Sequence, residues 1–200
     1  MGAEFLCEDA LKYDVLPLVA AFAAQSHGDA RKAIDLFRGA GDLADERNDE
    51  VVSEAHVRES QEEIDKDRSL KLVEGLTTQK KISLYATAAV SQYSSRTGSS
   101  VPSPVGFNIY RWITDTIDAD QMTRETYVKY MKELSTYGLV STLRKSRGRG
   151  GGMYMEFTFI GDPEAMMQRV LDDTRLERIQ DDNDLLRSVV NAQLKEFHSK

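Results

Sequence analysis

Along most of this chain apolar residues recur three or four positions apart, the spacing that lines one face of a helix; only between residues 139 and 160 do they give way to strand-like runs. Asp14 precedes an apolar run from Val15 to Ala24 with Pro17 in its first turn, where a missing N–H costs little, which predicts a helix over 15–25. Asp29 is placed to cap a second helix with Ala30, Ala33, Ile34 and Phe37 on one face. Ser53 caps a third, in which Val57 and Ile64 lie one heptad apart and the opposite face is heavily charged through Arg68. Three such helices make a small bundle. Residues 3–12 show no firm pattern.

The periodicity breaks at 75–78, which reads as the hinge to a second domain. A helix starting at Thr77 or Thr78 carries Ile82, Tyr85, Ala86, Ala89 and Tyr93 on one face, and residues 94–106, SSRTGSSVPSPVG, predict a loop too polar and too proline-bearing to pack. Residues 107–117 predict a helix whose Phe107, Tyr110 and Trp112 belong to the core rather than to a platform for stacked bases. Met122 leads into the next. Thr123 is its N-cap, Val128, Met131 and Leu134 face inward, and Gly138 lets the chain turn left-handed after it. Leu139 to Lys145 and Met153 to Ile160 are rich in β-branched and aromatic residues, while 147–152 contains no large apolar side chain, which predicts a hairpin with a long tip. Helix and hairpin together form the second half of a winged helix-turn-helix. Asp162-Pro163-Glu164 then starts a helix with Met166, Val170 and Leu171 inward. A last helix over 185–197 carries Leu186, Val189, Val190, Leu194 and Phe197 at helical intervals, to pack on the body or on a partner. The fold class is mainly α with a small β-hairpin.

Two hundred residues, 40% of them apolar, support one large or two small domains. No uncharged apolar run of about 18 residues exists and no basic-then-apolar leader opens the chain, so neither a membrane span nor a signal peptide is expected, and the cytoplasm is the expected compartment. Cys7 is the single cysteine, and His27, His56 and His198 lack ligand spacing, so no metal site is expected. Charge changes the picture more. The chain carries a net −7, yet between Arg124 and Arg149 seven basic side chains (Arg124, Lys129, Lys132, Arg144, Lys145, Arg147 and Arg149) face only two acidic ones, Glu125 and Glu133. A basic face on an acidic body is the footprint of a protein that touches phosphates in one place. The competing reading is a solvated hairpin with ordinary surface charge. Arg31, in the first turn of the second helix, opposes the helix macrodipole, which points either to an external anion or to a plain surface arginine.

These residues carry a resemblance. His27-Gly28-Asp29-Ala30-Arg31-Lys32-Ala33-Ile34-Asp35-Leu36, then Ala55-His56-Val57-Arg58, Met122-Thr123, Tyr137-Gly138-Leu139-Val140 and Ser146-Arg147-Gly148-Arg149 resemble the archaeal origin-recognition and helicase-loading initiators, AAA+ relatives of the largest origin recognition complex subunit. The likeness spans about Asp14 to Ile160. It implies a helical AAA+ lid-type bundle over 1–76, a winged-helix DNA-binding domain over 77–180 and a helical extension over 181–200. It also implies origin duplex DNA and the replicative helicase as partners, and it matches Arg31 to the arginine that senses nucleotide phosphates on the preceding ATPase domain. Glu125 and Thr126 stand where the family often has a basic pair, and Gly152 where it often has a further wing arginine. Fewer groove contacts than in other members follow.

No Gly-x-x-x-x-Gly-Lys-Ser/Thr loop occurs, so this polypeptide is not expected to be an enzyme or to build an ATP site; ATP and Mg would belong to a full-length parent. The expectation is a C-terminal fragment or a truncated relative that binds origin DNA in replication initiation. Two alternatives stay open: a winged-helix transcription regulator, which leaves Gly28-Asp29-x-Arg31 unexplained, and a winged-helix protein-interaction module.

Overall fold

The structure, a computed structural model, describes residues 14–25, 30–94, 100–148 and 152–199 and divides into two units, Met1–Arg68 and Ser69–Lys200. In the first unit α1, Val15–Gln25, and α2, Ala30–Arg47, are followed by α3, Glu54–Glu74, which runs through the division. Val15, Val19, Leu36, Ala40, Ala44, Val52 and Val57 close its core, with Phe37 and Ile64 packed against it. The buried stripe of α2 therefore runs through Leu36, Ala40 and Leu43. Ile34, expected on the inner face, is 65% exposed, because the true stripe is rotated toward 33, 36, 37 and 40. The expected cap Asp29 and the residues around Cys7 lie outside the described residues. Ser53 precedes α3, where its amide donates to His56 Nδ1 (3.2 Å), so that the buried ring carries its proton on Nε2 and donates it to Asp49 Oδ2 at 3.0 Å.

The second unit is built around α4, Thr78–Tyr93. Every residue from Lys81 to Ser91 is buried, so the single inward face expected of this helix is in fact the whole circumference. Three of its buried polar side chains find partners: Ser83 and Thr87 hydroxyls donate to the carbonyls four residues back, and the Lys81 ammonium pairs with Asp173 at 2.8 Å. Around it pack α5, Ser103–Thr116, α6, Arg124–Thr136, and α7, Pro163–Leu171. A 3-10 helix over Thr174–Asp182 then leads to α8, Asn183–Ser199. Three antiparallel strands in the order β1-β3-β2 complete the unit: β1, Val101–Pro102, β2, Val140–Ser146, and β3, Met153–Phe159.

The strand β1 overturns the expectation of an unpacked loop over 94–106. Val101 and Pro102 pair with Phe157 and Glu156, Val101 is fully buried, and α5 already begins at Ser103 with Pro104 in its first turn. Residues 95–99 lie outside the described residues. A cluster of aromatic rings fills the centre: Tyr127 stands within about 6 Å of Phe107, Tyr110 and Phe157, and its hydroxyl donates to Thr87 Oγ1 at 2.7 Å. Gly106 allows this approach, for a Cβ there would stand 2.2 Å from the Tyr127 hydroxyl oxygen. Leu186 and Val190 of α8 are buried in the same core, while Val189, Leu194 and Phe197 are half-buried against it.

Candidate nucleic-acid interface

The three-helix succession α4, α5, α6 followed by the β2–β3 hairpin is the winged helix-turn-helix expected from the sequence. Helix α6 begins where Thr123 Oγ1 accepts from the Thr126 amide at 3.3 Å, and ends at Gly138, whose φ of +77° reverses the chain into β2. Tyr127, Met131 and Leu134 anchor its inner side, so its solvent side presents Glu125, Lys129, Lys132 and Thr136. Arg124 is exposed too, about a quarter turn from Lys132. A second tether holds the helix on its flank: Lys80 of α4 pairs with Glu133 at 2.9 Å and lies 5.5 Å from the Tyr130 ring centre. That hydrogen bond holds the Glu133 carboxyl below, and the Lys80 ammonium above, their ordinary ranges. The Glu125 carboxyl, held low by its own backbone amide and the Thr123 hydroxyl, keeps its charge beside the two lysines. The solvent side is thus mixed: two cations, one anion and a hydroxyl.

Strand register decides where the basic residues of the hairpin go. Arg144 is paired with Met155, Lys145 with Tyr154 and Ser146 with Met153, and the Arg147 amide donates to the Gly152 carbonyl at 3.1 Å. Successive side chains alternate between faces, so Arg144 lies on the face that, through Thr142 and Phe157, meets the core and α6. Lys145 and Arg147 lie on the other. All three are exposed. Lys145 stands 3.9 Å from Glu156, too far for a strong pair. Positive φ at Gly148 and Gly152 shapes the start and end of the tip, and Arg149 lies outside the described residues.

One residue of this interface has a neighbour that its position in the sequence does not announce. Arg147 crosses to α8: its Nη2 donates to the Phe197 carbonyl at 2.7 Å and its guanidinium lies 3.7 Å from the centre of the Phe197 ring. Tyr154 meets the same ring edge-on at 5.5 Å. The helical spacing of Phe197 marks it as an inward position, but nothing local ties it to a residue fifty positions earlier.

Arg31 occupies the second position of α2 and is exposed. Among the described residues no group of three or more His, Cys, Asp or Glu side chains could hold a metal ion, and no helix is long and apolar enough to cross a membrane.

Comparison with known proteins accounts for both units. The Cdc6 AAA+ ATPase-type lid domain family matches residues 4–62, and the CDC6 C-terminal winged helix domain family matches residues 71–169. ORC1-type DNA replication protein 5 of Halobacterium salinarum is 78% identical over 95% of this chain, and ORC1-type DNA replication protein 14 of Haloarcula marismortui is 53% identical over 95%. The chain spans only 44% of the length of either relative. The solved structure of the Aeropyrum pernix ORC1 protein in complex with DNA superimposes with a TM-score of 0.69 at 31% identity, over 86% of this chain and 44% of that one. With lid and winged-helix families matched in that order, and with archaeal replication proteins as its relatives, the chain belongs to the ORC1/Cdc6 family of AAA+ replication initiators, of which it carries the C-terminal part.

Proposed function

We propose that this chain is an origin-DNA-binding part of a replication initiator. The observation that carries the reading is the exposed set Arg124, Lys129, Lys132, Arg144, Lys145 and Arg147 on the recognition helix and wing of an otherwise acidic protein. The DNA-bound state of the Aeropyrum pernix relative supports it. In this reading α6 lies in the major groove, with Lys129 and Lys132 reaching base edges or the phosphates that line them. Glu125, on the same side, is repelled by phosphates and, of the groups a duplex offers, is suited to a base donor such as the cytosine amino group. Arg144, on the α6 face of the hairpin, contacts the phosphates between the grooves, and Lys145 contacts those on the far side of the wing. Arg147, with Arg149, enters the minor groove.

The parent protein's ATP and Mg chemistry and its loading of the replicative helicase belong to the same proposal. Arg31 by itself makes no nucleotide site; from an exposed place in the first turn of α2 it would reach phosphates held by an ATPase domain. No catalytic role is assigned to this chain.

Fluorescence-anisotropy titration against duplexes carrying origin repeats of the source genome and against shuffled controls, over a salt series, tests the reading. Origin duplex binds more tightly than control, and Lys129→Ala and Lys132→Ala each lower the salt slope by about one where they neutralise a phosphate. Equal, weak and salt-insensitive binding of both duplexes refutes it and favours a protein partner for the winged helix.

A further inference from the structure

We infer that the last turn of α8 is a positioning element of the DNA-binding surface, which holds Arg147 away from the groove in the free protein and exchanges it for the duplex on binding. The inference rests on the DNA-binding reading above and adds to it an intramolecular competitor for the duplex.

The contact is built, not incidental. Phe197 sits third from the end of α8, where helix carbonyls have no amide partner within the helix and where the macrodipole is negative. Arg147 supplies both the missing donor and a positive charge, and its guanidinium carbon stands 3.7 Å from the ring centre of the residue whose carbonyl it binds. Neither side of the clasp is loose. Tyr154, across the hairpin from Lys145, braces the Phe197 ring edge-on, and its hydroxyl donates to Glu156 at 3.1 Å. On the helix side, Leu186 and Val190 are buried in the core and the Gln193 side chain accepts from Asn108 of α5 at 2.6 Å. The end of α8 is therefore fixed on the wing by its own packing, and Arg147 is turned back along the body of the protein.

A duplex changes this balance through charge. A neutral carbonyl and a ring face hold the guanidinium in the free protein. A phosphate oxygen or the narrow minor groove offers charge-assisted, bidentate partners that are stronger. The exchange is favourable, but it forfeits the α8 contact, so the contact lowers the apparent affinity for DNA by whatever it is worth. An exposed cation–π contact corresponds to about two- to five-fold in an equilibrium constant.

The experiment is a double-mutant cycle on duplex affinity using the full chain. Phe197→Leu keeps an apolar side chain against the core but removes the aromatic face. It is expected to tighten origin-duplex binding about two- to five-fold. In an Arg147→Ala background, which itself binds more weakly than the parent, Phe197→Leu is expected to change nothing, because the residue it releases is gone. The conservative Phe197→Tyr should bind as the parent does. Independently, the Arg147 Hε resonance should be shifted upfield by the Phe197 ring in the free protein, and that shift should collapse on saturation with duplex. A purely structural role for Phe197 moves neither readout in this pattern. Phe197→Leu binding that is unchanged or weaker, tightening that persists without Arg147, or a ring-shifted Hε that survives saturation overturns the inference while leaving DNA binding intact. Parent and variants that all bind both duplexes weakly and without salt dependence overturn the DNA-binding reading itself, and the inference with it.

Discussion

Replacing Gly106 by alanine tests the packing that seats α6 on the core. Helix propensity alone favours the change by about 1 kcal/mol, since Gly106 lies inside α5. The structure predicts the opposite sign. The new Cβ would stand 2.2 Å from the Tyr127 hydroxyl oxygen and 3.2 Å from its Cζ, and Tyr127 cannot swing aside because Phe107, Tyr110 and Phe157 surround its ring. Overpacking of this kind costs about 1–3 kcal/mol, and loss of the Tyr127–Thr87 hydrogen bond inside the core adds about 1 more. Against the propensity gain, the net destabilisation is about 2 kcal/mol, or roughly 5–10 °C in Tm for a unit of this size. The cause is separable, because Tyr127→Phe removes the clashing oxygen. That change alone costs about 1 kcal/mol, since the Thr87 hydroxyl still donates to Ser83. The double variant should therefore be more stable than Gly106→Ala by about 1 kcal/mol, although it carries one more substitution. Scanning calorimetry or urea unfolding followed by circular dichroism reads all four proteins. A Gly106→Ala protein as stable as the parent, or costs that simply add in the double variant, would refute the reasoning.

Gly39→Ala should destabilise the first unit by about 1–2 kcal/mol, because its Cβ would meet Ser60 Oγ at 2.3 Å; urea unfolding should show Ser60→Ala restoring most of the loss. Asp173→Asn should cost about 3 kcal/mol near neutral pH by leaving the buried Lys81 ammonium without a counter-charge. The Asp173 carboxyl is held far below its ordinary range, first by Arg175 and then by Lys81, so the stability it confers is present above about pH 4 and is lost as pH falls below that. Thermal midpoints of parent and variant should converge on acidification; a constant gap from pH 7 to pH 3 would contradict the assignment. Thr123→Ala, which removes the α6 cap, should cost about 1 kcal/mol in the same unfolding assay and weaken duplex binding without changing its salt slope.

Signals that act over a few residues were legible in the sequence. Val15–Gln25, the Thr123 cap, the left-handed Gly138 and the Asp162-Pro163 start each rest on chemistry between near neighbours, and each stands in the structure where it was expected. Tertiary effects were not. A two-residue strand has no periodicity, so Val101–Pro102 becomes a strand only because β3 offers it a free edge. Lys81, Ser83, Thr87 and Ser91 disguise α4 as amphipathic, whereas hydrogen bonds to its own backbone and the Asp173 partner allow three of the four to be buried. Of the predicted DNA contacts, the exposure of Lys129 and Lys132 followed from the helical spacing of Met131 and Leu134, and Arg144, Lys145 and Arg147 are exposed as charged side chains of a hairpin ordinarily are. Their division between two faces of the wing needed the register, and the Arg147–Phe197 contact needed the path of the whole chain.

The Lys81–Asp173 pair has a consequence for where this domain can be cut. The winged-helix family match ends at residue 169, four residues before the carboxylate that neutralises a cation inside the central helix. A recombinant piece trimmed to that border would keep every strand and the recognition helix, yet it would hold an uncompensated ammonium and an opened seam where Leu176, Ile179, Leu186 and Val190 had been. The segment that looks like an appendix is thus a plug, and its removal should leave a protein that expresses and aggregates rather than a smaller stable domain.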